Sequence, residues 1–294
     1  MLITGGGGQL ASDLERLLAG VAAVAAPPRA ELDVTDDDAV ELAFREIRPQ
    51  LVLNCAAFHN VELCEHAEEQ AFATNAVAVK RLAERCAEER AKLVHFSTNY
   101  VFDGVRPEPY AEHDRPSPRS VYAISKLAGE QAALAYAPDV LVVRSAGLYG
   151  LAGSASKGGN FVQRMAVRAR DEGKVRMVAD QRLNPTFTGD LAAATMKAVE
   201  LDAAGILHLT NSGACSWFEF TRAILELAGI DAAVEPVETQ RAPGGADRPL
   251  NGALARPAAD AAGVPELPHW RDALAAYVEQ AGLAPRPASA AQPG

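Results

Sequence analysis

The sequence has little cysteine, a deficit of positive charge and no long apolar run, and each shortage removes a class of protein. Its four cysteines, Cys55, Cys64, Cys86 and Cys215, are scattered with no close metal-type spacing, so neither a disulfide framework nor a zinc site is expected. Lysine and arginine number 28 against 38 aspartates and glutamates, and the net charge of -10 argues against nonspecific nucleic-acid binding. No stretch is apolar for long enough to span a bilayer, and Met1-Leu2-Ile3 opens a strand without a basic-then-apolar leader, so a cytoplasmic location is expected. A basic stripe, an amphipathic membrane helix and a repeat are missing too, which leaves a scaffold role unsupported. What is present is an ordinary globular composition, 49% hydrophobic over 294 residues, enough to bury a large α/β core.

The chain starts with a short strand, Met1-Leu2-Ile3-Thr4, that opens into Gly5-Gly6-Gly7-Gly8-Gln9-Leu10-Ala11 and then a helical pattern with Leu14, Leu17 and Leu18 on one face. A glycine-rich turn between a first strand and a first helix lets backbone amides approach a pyrophosphate at the helix N-terminus. The Gly5-x-x-Gly8-x-x-Ala11 spacing therefore points to a dinucleotide. A second strand is expected over Val21 to Ala26. An acidic residue at its end would bind a ribose 2′-hydroxyl, as in NAD-preferring sites, but Pro28 stands there. Arg29 beside it suits a 2′-phosphate, so NADP(H) is expected over NADH. Asp33 is a candidate for the adenine end, and Thr35-x-x-Asp38 reads as a capping box.

Two apolar runs, Leu51 to Ala57 and Lys92 to Thr98, have the texture of strands buried on both faces. Small residues at the end of the first allow close approach to a cofactor, with Phe58 and His59 following. Thr98 falls at the carboxyl end of the second, where open parallel sheets bind ligands. Residues 62 to 90 read as one long helical stretch. A proline-rich loop, residues 106 to 118, then leads to a helix carrying Tyr122 and Lys126, and to another buried strand near residues 140 to 144.

Tyr122 and Lys126 are four residues apart and project from one helix face. A phenol donates a proton sluggishly at neutral pH, and a nearby ammonium is expected to bring its pKa toward the working range. Tyr122 then suits a general acid that protonates the oxygen of a ketone receiving hydride, with Thr98 supplying a second hydrogen bond to that oxygen.

The alternation predicts an α/β fold: a Rossmann-type doubly wound parallel sheet with a smaller C-terminal α/β substrate-binding region. The expected divisions are 1–150 for the dinucleotide-binding domain, with later segments interleaved, and 151–282 for the substrate region. Residues 283–294, rich in Ala and Pro, are expected to be a disordered tail. After residue 150 a glycine- and serine-rich segment (151–160) precedes an expected helix near Phe161 to Glu172 and strands near 175–179 and 206–209.

Several segments together resemble the dTDP-4-dehydrorhamnose reductase family, a branch of the extended short-chain dehydrogenase/reductases. They are Gly5-x-x-Gly8-Gln9-Leu10, Asn54-Cys55-Ala56-Ala57, Ser97-Thr98-Asn99-Tyr100-Val101-Phe102-Asp103-Gly104, Tyr122-x-x-x-Lys126-Leu127-Ala128-Gly129-Glu130 and Asp180-Gln181-x-x-x-Pro185-Thr186. The likeness runs from residue 1 to about residue 280. It implies NAD(P)H-dependent reduction of the C4 ketone of a dTDP-linked 6-deoxy-4-hexulose to dTDP-L-rhamnose. By that resemblance Tyr122 is the proton donor, Lys126 holds the nicotinamide ribose and tunes Tyr122, and Thr98 bonds the substrate oxygen. Gly5, Gly8, Gln9 and Leu10 lie on the pyrophosphate, Arg29, Asp33 and Val34 at the adenosine end, and Ala56, Ala57, Phe58 and His59 along the nicotinamide half. Asn99, Asn160, Asn184 and Arg248 face the sugar nucleotide.

Two departures touch substrate choice: Asn99 stands where the family usually has Asp, and Gly147 where it commonly has Trp. Some members of the family bind magnesium through acidic residues at a dimer interface. Asp13 occupies one such place but also suits a solvated helix position, so magnesium stays open and no metal ligand is assigned. A homodimer is compatible with the resemblance. Two alternatives remain: an enzyme acting on another nucleotide-linked keto-deoxysugar, and a non-catalytic NADP-binding regulatory subunit, against which the retention of Thr98, Tyr122 and Lys126 argues.

Overall fold

The buried apolar runs form β1 (Leu2–Thr4), β2 (Leu51–Asn54), β3 (Lys92–Thr98) and β4 (Val140–Ser145) in the computed structural model, which describes residues 1–153, 158–240 and 244–284. A later strand, Gly205–His208, joins the far edge. Neighbours pair in parallel in the order β1, β2, β3, β4, 205–208. Every residue of β1 to β4 is buried, which is why these strands read as unbroken apolar runs rather than alternating ones.

The expected second strand is reduced to a fragment. Val21 to Ala26 contributes one parallel bridge, Leu2 to Ala25, in which Ile3 N–H donates to Ala25 O at 2.8 Å and Ala25 N–H to Met1 O at 3.0 Å. Pro27 and Pro28 lack the N–H groups that would extend the ladder. The chain still moves outward on one side of β1 and returns on the other as β2. That reversal leaves a crevice at the carboxyl end of β1.

Helix α1 (Gln9–Leu18) and the Thr188–Glu200 helix cover one face of the sheet, packing Leu10, Leu14, Leu18 and Leu191 on Ile3, Leu53, Val94 and Leu141. The helices Asp37–Ile47, Ala78–Glu89 and Val121–Tyr136 cover the other, on Leu2, Val52, Leu93 and Val142. The Asp37–Ile47 helix is capped by Asp36, whose carboxylate accepts from Ala39 N–H, and not by Thr35. Residues 62 to 90 also depart from expectation: the single helix is broken into Val61–Cys64, Glu68–Phe72, a π-helical turn over Ala73–Val77, and Ala78–Glu89.

Beyond residue 150 the Phe161–Glu172, Trp217–Leu227 and Trp270–Gln280 helices enclose an aromatic cluster of Tyr149, Phe187, Phe220, Trp270 and Tyr277. Lys174–Val178 pairs in parallel with Ala233–Val237. The Gly205–His208 strand returns to the main sheet, so the later segments are interleaved with it. Residues 154–157 of the glycine- and serine-rich segment, and residues 285–294 of the expected tail, lie outside the described residues.

Candidate active site

The glycine-rich turn sits at the crevice beside β1. Gly6 is pressed against the neighbouring fragment so closely that a Cβ would overlap the carbonyl oxygens of Ala26 and Pro27. Gly7 adopts φ +78° with open space around it. Helix α1 starts with Gly8 as N-cap and no side chain on its first amides, so its N–H groups are available to an anion. A dinucleotide pyrophosphate fits this cradle. Gln9 Oε1 accepts from Gly150 N–H at 2.9 Å, and the Leu10 side chain is in the core.

At the adenosine end Arg29 and Asp33 form an exposed ion pair of 3.0 Å. Asp33 also accepts from Thr35 N–H and Oγ1, and the bond to that amide, ahead of Arg29, holds its carboxyl below the usual range. Val34 is buried in the core.

On the nicotinamide side, the loop after β2 carries Ala56, Ala57, Phe58 and His59. Asn75, on the π-helical turn, fixes it: Asn75 Oδ1 accepts from Phe58 N–H at 2.8 Å, and Nδ2 donates to Phe58 O and to Ser125 Oγ, both at 3.0 Å. His59 Nδ1 lies 3.4 Å from Ala57 O. The sequence analysis missed Asn75. Its signal was a poor helix former standing inside a helical pattern.

Thr98 ends β3 and accepts from Tyr100 N–H at 3.2 Å, and its hydroxyl hydrogen-bonds that of Tyr122. The Tyr122 ring packs edge-on against Tyr100, with centroids 5.8 Å apart. Ser120 caps the Val121–Tyr136 helix, and Glu65 accepts from Val121 N–H at 2.8 Å, so the helix start is held firmly. One turn on, Lys126 is buried. It donates to Phe96 O at 2.6 Å and lies 3.5 Å from His95 Nε2. Burial draws its ammonium down to about 8, against the opposing pull of Glu130 and Cys55. Tyr122 departs from expectation: burial pushes the phenol above its ordinary range, against the lowering bond to Thr98, because Nζ turns to Phe96 and His95 rather than to the phenol.

The four expected substrate contacts divide. Arg248, half-buried, reaches the site. It donates to Glu62 at 2.7 Å and hydrogen-bonds Tyr100. The three asparagines use their amides inside the protein: Asn99 donates to Gly252 O at 2.9 Å, and Asn184 to Gly213 O at 2.7 Å while accepting from Leu254 N–H. Asn160 caps the Phe161–Glu172 helix and donates to Gly150 O and the Tyr277 hydroxyl. At Gly147, φ +55° is a conformation that strains any other residue, and a Cβ there would meet the Leu183 side chain. Asp13 is buried rather than solvated, bonded to Arg16 at 2.6 Å and to the Thr188 hydroxyl. Among the described residues no group of three His, Cys, Asp or Glu side chains could hold a metal ion.

A parallel sheet with a helix N-terminus at its reversal point and Thr98, Tyr122 and Lys126 at a neighbouring strand end is the plan of the Rossmann-type NADP-dependent oxidoreductases. More narrowly, residues 1–282 match the model of the RmlD substrate binding domain, and the chain belongs to that family. It is 40% identical over 282 residues to dTDP-4-dehydrorhamnose reductase of Mycobacterium tuberculosis, covering 94% of this chain and 91% of the relative. It is 38% identical over 276 residues to dTDP-4-keto-6-deoxy-D-glucose reductase of Streptomyces niveus, covering 93% and 94%. The crystal structure of dTDP-4-dehydrorhamnose reductase from Bacillus anthracis in complex with NADP superposes with a TM-score of 0.90 at 32% identity, covering 95% of this chain and 98% of that one.

Proposed function

We propose that the chain uses NADPH to reduce the C4 ketone of a dTDP-linked 6-deoxy-4-hexulose, giving dTDP-L-rhamnose. The observation that carries this reading is the meeting of Thr98, Tyr122 and Lys126 at the carboxyl edge of β3, beside an anion-ready helix N-terminus, in a chain of this family. The bound cofactor supplies the hydride. The chain supplies everything around it. Backbone amides from Gly5 to Leu10 bind the pyrophosphate, Arg29 the 2′-phosphate, with Asp33 and Val34 at adenine, and Ala56 to His59 wall the nicotinamide. Thr98 and Tyr122 hydrogen-bond the ketone oxygen, and Tyr122 gives it a proton. Lys126 holds the nicotinamide ribose. Arg248 meets the sugar nucleotide, releasing Glu62, while Asn99, Asn160 and Asn184 shape the substrate wall from behind. Residues 1–150 form the cofactor domain and 151–282 the substrate region, in a cytoplasmic homodimer whose mass light scattering would check.

The test is loss of NADPH absorbance, with NADH in parallel, when purified protein meets the dTDP-6-deoxy-4-hexulose, with the product identified by NMR. Oxidation yielding dTDP-L-rhamnose is expected, and NADPH binding without oxidation overturns the reading. A second reading, reduction of another dTDP-linked 4-keto sugar, is favoured by Asn99, by Gly147 and by the Streptomyces niveus relative's name. It predicts oxidation with a different product.

A further inference from the structure

A row of polar side chains runs beneath the site, across three adjacent strands. The sheet register sets Thr4 opposite Asn54 and Asn54 opposite His95, so all three point to the face covered by the Val121–Tyr136 helix. Each is buried, and Thr4 and Asn54 stand in strands otherwise filled with Leu, Val and Ile. Thr4 Oγ1 donates to Asn54 Oδ1 at 2.7 Å, Asn54 Nδ2 meets His95 Nδ1 at 3.1 Å, and His95 Nε2 faces Lys126 Nζ at 3.5 Å. Gly129 makes room for the Asn75 carbonyl, which a Cβ there would overlap, and so lets the Val121–Tyr136 helix lie against the π-helical turn beside His95. The cofactor and substrate roles proposed above leave His95 unused.

The directions of these bonds fix the tautomer. Ala56 N–H donates to Thr4 Oγ1, so the Thr4 proton goes to Asn54 Oδ1 and the amide presents Nδ2 to the histidine. His95 Nδ1 must then accept, which leaves the proton of the neutral ring on Nε2. That N–H points at Nζ. An ammonium has no lone pair to receive it, whereas an amine has one. Burial, with the Lys126 charge adding to it, holds His95 well below its usual range, so the ring stays neutral.

We infer that His95 is a positioning residue for Lys126: held in one tautomer by Thr4 and Asn54, it presents an N–H that stabilises the amine left after the lysine passes a proton toward Tyr122. The inference rests on the proposed reductase chemistry. When the C4 oxygen takes the phenol proton, the Tyr122 O–H bond breaks. A lysine N–H bond then breaks to restore it, and solvent water returns a proton to the amine after turnover. The groups facing Lys126 are His95 and the Phe96 carbonyl from β3, Cys55 after β2, and Glu130 from its own helix, with Glu130 held by Arg144 and Ser97, while Tyr122 stands one helical turn away on the same face.

The experiment measures kcat and KM against pH for His95→Phe and His95→Gln, with NADPH binding and thermal midpoint recorded alongside. Losing one hydrogen bond to the amine makes the ammonium easier to keep. The alkaline limb of kcat in His95→Phe should move up by about one pH unit and kcat at neutral pH fall about tenfold, with KM nearly unchanged. His95→Gln keeps an amide N–H near the place of Nε2 and should recover most of both. An unmoved limb in His95→Phe, or His95→Gln behaving like His95→Phe, overturns the inference. Should His95→Phe not fold, Asn54→Asp decides. Its carboxylate draws the proton to Nδ1 and turns a lone pair toward Nζ, so the limb should again move up, and an unmoved limb overturns the inference. A wild-type chain that does not turn over the ketone overturns the reductase reading itself. Wild-type turnover with unmoved limbs removes only the role of His95.

Discussion

Arg144 and Glu130 form a two-point ion pair inside the protein, Nε to Oε1 at 2.9 Å and Nη2 to Oε2 at 2.6 Å, both side chains almost wholly sealed from water. Ser97 Oγ adds a bond to Oε1 at 2.5 Å, tying the pair to the strand that ends in Thr98. Removing one partner strands a buried charge. Glu130→Gln or Arg144→Met should each cost about 3–5 kcal/mol in urea unfolding, and the double variant less than the sum.

The proton donor is tested directly. Tyr122→Phe should lower kcat about 10²- to 10⁴-fold while fluorescence titration shows NADPH affinity nearly intact, since the phenol acts only as the ketone oxygen gains charge. Thr98→Val should cost roughly 10²-fold, the size of one lost oxyanion donor. Undiminished turnover in Tyr122→Phe would remove it from the acid role.

Arg29 separates the cofactors. Arg29→Ala should raise the KM for NADPH about tenfold and leave that for NADH almost unchanged, because only the former carries the 2′-phosphate. Equal effects on both would show that the Arg29–Asp33 pair serves the loop and not the ligand.

The glycine turn offers a contrast between two neighbours. Gly6→Ala places a methyl group on the Ala26 and Pro27 carbonyls and should abolish NADPH binding or folding. Gly7→Ala meets no atom but keeps a positive φ, and should cost only about 1 kcal/mol of stability. Thermal midpoints and cofactor titrations of both variants check this.

Lys126 gives stability a pH dependence of definite sign. Its ammonium is drawn from 10.5 to about 8 on folding, so between these values the unfolded chain holds more protons than the folded one. The penalty is full below about 8 and fades as pH rises toward 10.5. Relative to Lys126→Met, the wild type should therefore gain stability across that interval in matched thermal scans. A constant difference would contradict the depressed value.

The strands were legible because each is buried on both faces and so spelled as an unbroken apolar run. Tyr122 and Lys126 were legible because helical spacing alone puts them on one face. What the sequence hid depends on distant partners. The Asn99 amide donates to Gly252, 153 positions away, and the Asn184 side chain pairs with Gly213 and Leu254, so side chains read only as facing a substrate also tie distant segments together. The Val21 to Ala26 fragment was overread because apolar texture says nothing about how far two following prolines let a ladder extend. The π-helical turn at Ala73–Val77 escaped because its extra residue leaves helical periodicity nearly unchanged while aiming Asn75 at the Phe58 loop.

Helix α1 touches both halves of the molecule. Its first amides point to the crevice, Gln9 holds Gly150, Asp13 holds Thr188, and Gly150 in turn receives the Asn160 amide that reaches Tyr277. In the proposed function, a nucleotide bound at these amides and a sugar bound by the later segments would share this one seam. Thermodynamic reciprocity then binds them: whatever factor the first ligand contributes to the affinity of the second, the second returns to the first.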